Sequence, residues 1–132
     1  MHYEMFCNDD IGYRSLMHYN DWRVAILNYI DDCSIDEVRY FEAHLKTDEV
    51  FVLLDGEVTL LFADIDENKI TNYRTVKLEK HKIYNVKKGV YHTQIMSKDA
   101  KLLIVEDKDT GDDNSVKHYI SKEERDYMRT LI

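Results

Sequence analysis

The chain has 132 residues, 44% of them hydrophobic and 33% charged, with 26 acidic against 18 basic side chains and a formal net charge of -8. That length suits one domain with a sizeable core, and the acidic balance argues against a polyanion-binding surface, so nucleic acid is not expected as a partner. The longest apolar runs, "VAILNYI" and "VFVLL", fall well short of the roughly 20 residues of a membrane helix, and "MHYEMFCNDD" lacks the basic start and apolar stretch of a secretion signal, which makes the expected protein soluble and cytoplasmic with no membrane partner.

Taken in chain order, the first cysteine, Cys7, is too far from the only other, Cys33, for a disulfide framework or a thiolate zinc site, and both read as free thiols. "WRVAILNYI", from Trp22 to Ile30, is β-branched and aromatic, and apolar on both faces, which predicts a strand near the core. "EVRYFEAHL", 37–45, predicts a second strand on which Val38, Tyr40, Glu42 and His44 share a face. A third begins at Glu49, with Phe51 and Leu53 on its face. His44 and Glu49 are five positions apart, so an unbroken strand would point them to opposite sides. Polar Lys46-Thr47-Asp48 breaks the strand and resets the parity, which lets the two side chains share a site.

Asp55-Gly56 then separates two apolar runs, the strongest short-range hairpin signal in the chain. "ITNYRTVKL", "KIYNV", "HTQIM" and "KLLIVE" continue as short strands between charged or glycine-containing turns, the pattern of an all-β sandwich or barrel. The acidic "EDKDTGDDN" lacks the spacing of a calcium loop and reads as a solvated turn. Ser121 with Glu124 forms a capping box, and Tyr127, Met128 and Leu131 follow at helical spacing, which predicts a short C-terminal helix over about 122–131.

Two motifs within this series carry a resemblance. His44, Glu49 and Gly56 have the spacing of the first cupin motif, and Gly89 and His92 in "KKGVYHTQIM" have that of the second. The chain thus resembles the small single-domain cupins over about residues 20–106. It departs from their pattern at Glu42, where the family usually has a further histidine, and at Asp36, Lys87 and Met96, where a glycine, a proline and an asparagine are usual. The resemblance implies an all-β, double-stranded β-helix (jelly-roll barrel); with the length it predicts a single domain over 1–132, the C-terminal helix lying outside the part that resembles the family.

Chemically, two imidazoles and a carboxylate form a facial set that leaves positions open on a first-row metal. His44, Glu49 and His92 are therefore the expected metal ligands, and the set does not choose among Fe, Mn, Ni, Co and Zn. Glu42 shares the face of His44 and is either a replacement ligand or a general base. Gln94 shares a face with His92, and Tyr40, Phe51 and Tyr84 are aromatics expected to line the pocket, although core packing is the plainer reading of each aromatic, Trp22 included. His2, His18, His81 and His118 have no partners at ligand spacing. The expected function is a metal-binding cupin acting on a small polar metabolite such as a sugar or a hydroxy or keto acid, as an isomerase, epimerase or dioxygenase. The alternative is a non-catalytic ligand-binding or sensor cupin, and a homodimer through sheet edges is expected in either case.

Overall fold

Residues 2–132 are described by the structure, a computed structural model. Ten strands follow in order: β1 Gly12–Tyr19, β2 Trp22–Asn28, β3 Tyr40–His44, β4 Glu49–Asp55, β5 Val58–Asp66, β6 Lys69–Lys77, β7 Ile83–Val86, β8 Tyr91–Met96, β9 Lys101–Asp107 and β10 Ser115–Tyr119, with one helix, α1 Lys122–Arg129. They form two five-stranded sheets, ordered β1-β2-β9-β4-β7 and β10-β3-β8-β5-β6. Every pairing is antiparallel. Successive strands fall in alternate sheets along much of the chain, the arrangement of a jelly roll. No helix among the described residues is long and apolar enough to cross a membrane.

Between the sheets lies a core that includes Ala25, Leu27, Phe51, Leu53, Val58, Leu60, Met96, Leu102 and Ile104. A second cluster lies on the opposite face of the β3–β8–β5 sheet, where Met128 of α1 is buried with Phe41, Leu61 and Ala63. These two layers explain why "VTLLF" is apolar on both faces: Leu60 faces the interior and Leu61 the layer beneath the helix. Ser121 caps α1 by accepting from the Glu124 amide at 3.1 Å while Glu124 accepts from the Ser121 amide at 2.8 Å. Arg125 then ties the helix to the chain before β3, donating to the carbonyls of Ile35 and Val38 at 2.7 Å each.

The Asp55-Gly56 signal does mark the β4–β5 connection. Gly56 has φ +72°, and a Cβ there would stand 2.6 Å from the Ala100 Cα, so both conformation and space require glycine. Two edge strands, β1 and β10, lie outside the predicted barrel core. β1 pairs with β2, and β10 pairs with β3. Trp22 does not join the core: it is 43% exposed at the end of β2, with its ring 6.2 Å from that of Tyr19.

Candidate metal centre

β3 ends at His44 and β4 begins at Glu49, so the polar turn between them does break the strand and both side chains point between the sheets. Asp48 fixes that turn by accepting from the Lys88 amide at 2.8 Å and from Asn85 Nδ2 at 3.0 Å. His92 enters from β8, where it pairs with Glu42 of β3. Lys87 and Lys88 are exposed and do not reach the cavity. All three candidate ligands are buried, and their ligand atoms lie within 4.8 Å of one another.

Glu49 Oε1 is the hub of this group, 2.8 Å from His92 Nε2 and 3.1 Å from His44 Nε2. The far nitrogens are held elsewhere. His92 Nδ1 donates to the Val90 carbonyl at 2.9 Å, and His44 Nδ1 meets Ser115 Oγ of β10 at 2.8 Å. A carbonyl only accepts, so His92 Nδ1 must carry a proton, and a neutral His92 then turns its Nε2 lone pair toward the Glu49 carboxylate. Two electron-rich atoms at 2.8 Å need a positive species between them, either a proton or a metal ion.

In the proton-only form the titrations follow from this crowding. Burial alone would raise the Glu49 carboxyl, but hydrogen bonds from His44 and His92 outweigh it and hold the group below the usual carboxylate range. Burial alone would lower the His44 imidazole, yet the hydrogen bond and charge of Glu49, with the charges of Glu42 and Glu106, raise it.

The group opens on a cavity of about 350 Å³ between the sheets. Tyr40, Glu42 and Gln94 line it, and Glu42 Oε1 stands 3.5 Å from His44 Nε2. The Tyr40 ring is held against the Tyr119 ring, centroids 5.6 Å apart, with Lys117 Nζ 4.5 Å above it. Phe51 and Tyr84 are placed differently from the expectation: neither lines the cavity. Phe51 lies one inward position deeper along β4, where it is fully buried in the core with its ring 6.0 Å from that of His92. Tyr84 is paired with Phe51 across β7, packs on the same core, and its hydroxyl accepts from the Glu79 amide.

Glu106 of β9 is a cavity residue that sequence reasoning missed, as it missed Tyr13 and Arg23, although the alternation of "LLIVED" places Glu106 on the inward face with Leu102 and Ile104. Its Oε2 accepts from the Tyr13 hydroxyl at 2.7 Å and from Arg23 at 3.2 Å, while Oε1 faces His44 Nε2 at 4.0 Å. Burial and the neighbouring Glu49 charge push its carboxyl above the usual range, against the opposing effects of Tyr13 and Arg23. Arg23 also donates to the carbonyls of Lys108 and Thr110. Of the histidines given no role, His118 pairs with Glu124 at 2.9 Å.

No family model matches the chain, and no curated protein sequence matches it. Solved structures do. A cupin-2 domain protein from Shewanella frigidimarina is 21% identical with a TM-score of 0.56, covering 77% of this chain and 85% of its own. The TDP-fucose-3,4-ketoisomerase WlaRA from Campylobacter jejuni is 17% identical with a TM-score of 0.54, over 76% of each chain. The iron(II) form of HppE is also 17% identical with a TM-score of 0.54, over 72% of this chain and 50% of its own. The fold is therefore the cupin-type jelly roll, with a buried His-Glu-His group inside it.

Proposed function

We propose that this protein is a metal-binding cupin in which His44, Glu49 and His92 hold a divalent first-row transition metal and the adjoining cavity takes a small polar metabolite for chemical conversion. The observation that carries this reading is the approach of two imidazole Nε2 atoms to one carboxylate oxygen, with the His92 Nδ1 proton committed to the Val90 carbonyl. Two nitrogens and one oxygen suit iron, manganese, nickel, cobalt or zinc. When bound, such an ion supplies Lewis-acid polarisation of a carbonyl or hydroxyl oxygen.

The chain's own side chains then divide the remaining work. Ser115 fixes the orientation of His44 through Nδ1, and the Val90 carbonyl does the same for His92. Glu42 faces the cavity without a hydrogen-bond partner among the described residues, so Oε1 is placed to take a proton from a bound molecule. Tyr40 forms a fixed aromatic wall, and the Gln94 amide offers a donor and an acceptor. Fold likeness to a ketoisomerase and to an iron(II) protein supports this class without selecting a reaction.

A second reading, a non-catalytic binding or sensor cupin, has its own support: protonated His44 and His92 would satisfy Glu49 with no metal at all. Elemental analysis of protein purified without a metal-affinity tag decides between the centres. Near-stoichiometric metal in the parent, lost in folded His44→Ala and His92→Ala variants, is the expected result. A parent that neither carries metal nor takes it up on addition sinks the metal reading.

A further inference from the structure

Glu106 and Glu42 approach the cavity from opposite sheets, and each presents an oxygen that accepts no hydrogen bond among the described residues. Glu106 is only 5% exposed. Its Oε2 is saturated by Tyr13 and Arg23, yet Oε1 accepts no hydrogen bond among the described residues. Glu42 likewise accepts none. Both oxygens lie within 4.0 Å of the same atom, His44 Nε2, so a single small molecule can reach both.

Charge points the same way. Arg23, the cation inside the cavity, donates from its two terminal nitrogens to Glu106 and two backbone carbonyls, while its Nε is buried without a partner among the described residues. Arg39 is exposed at the rim. Even with a divalent ion on the His44–Glu49–His92 group, three carboxylates and Arg23 leave no surplus positive charge for an anionic ligand. Both carboxylates line the cavity, so a ligand that brings donors can pair with the oxygens that the described residues leave without one.

We infer that the cavity's ligand is a donor-rich, non-anionic molecule, an amino alcohol or polyol, whose ammonium or hydroxyl hydrogens are accepted by Glu106 Oε1 and Glu42. This rests on the reading of the cavity as the ligand site, but not on the metal. No bond is made or broken in the binding, and Tyr13 and Arg23 act as positioning residues that turn Oε1 inward.

The test uses three molecules of one shape and different charge, 2-amino-1,3-propanediol, glycerol and glycerate, titrated into the full chain while its amide resonances are followed by NMR. It is run on chelator-treated and on zinc-loaded protein. Saturable shifts around Gln94 and Tyr13, strongest with the amino diol and absent with glycerate, are expected in both forms. Glu106→Gln and Glu42→Gln keep side-chain volume and should each weaken amino diol binding about tenfold or more, with zinc content retained in Glu106→Gln. If glycerate binds as tightly, if neither substitution changes amino diol binding, or if the folded protein shows no saturable site for the amino diol, the inference is overturned. Amino diol binding in a parent that neither carries nor takes up any of the five metals would end the metal reading and leave this one standing.

Discussion

Strands β2, β4 and β9 each run from one end of the barrel interior to the other, and the side chains they turn inward change chemistry on the way. Arg23 gives way to Ala25 and Leu27, Glu49 to Phe51 and Leu53, and Glu106 to Ile104 and Leu102. The pairings hold these changes level across the sheet: Arg23 faces Glu106, Ala25 faces Ile104, and Phe51 also faces Ile104. Alternation decides which residues enter the barrel, and distance along the strand decides what they do there. At one end burial stabilises the fold, while at the other it strains charged groups against one another.

The largest test of this division is Leu102→Ala at the apolar end. It should lower stability by about 2–5 kcal/mol in chemical denaturation, yet leave metal content per folded molecule unchanged. Loss of metal in that variant would show that the two ends are not separable. Ser115→Ala should do the reverse, weakening metal affinity by about 10–100-fold with a small effect on the denaturation midpoint, and Ser115→Thr should restore most of the affinity. At the far side of the β3–β8–β5 sheet, Ser121→Ala removes the cap of α1 and should cost about 1 kcal/mol, with neither cavity nor metal affected.

The smallest effect concerns pH. In metal-free protein the raised His44 pKa means that its pair with Glu49 contributes fully below the free histidine value of about 6.5 and is lost as pH rises through the folded value. The melting temperature of chelator-treated protein should therefore fall as the pH rises above about 6.5, and His44→Gln should flatten that fall. Added metal competes with the same protons, so its stabilisation should grow over the range in which the metal-free protein weakens.

Much of this is legible from residues alone. The turn at Lys46-Thr47-Asp48 makes the common face of His44 and Glu49 deducible, and Ser121 with Glu124 announces the helix. What escapes is whatever depends on which face of a doubly apolar strand meets the cavity. "WRVAILNYI" hides Arg23 because both of its faces are covered by apolar neighbours further along, and Glu106 reads as the polar end of a strand until its parity with Leu102 and Ile104 is applied. Phe51 has the correct face but sits one inward position too deep, so the same parity that locates Glu49 overstates the pocket. Tyr13 and Ser115 lie on strands outside the two motifs, where no local pattern marks them.

Those two outlying residues also set the order in which the molecule can be assembled. Tyr13 meets Glu106 across 93 positions of chain and Ser115 meets His44 across 71, whereas the Asp55-Gly56 hairpin closes between neighbours. Long loops close late because their entropy must be surrendered before the contacts repay it. A nascent chain that has emerged only through β8 already carries His44, Glu49 and His92, but nothing holds the His44 ring or supplies Glu106. Metal capture in refolding should accordingly trail the appearance of β structure and serve as a clock for its completion, not as a seed for it.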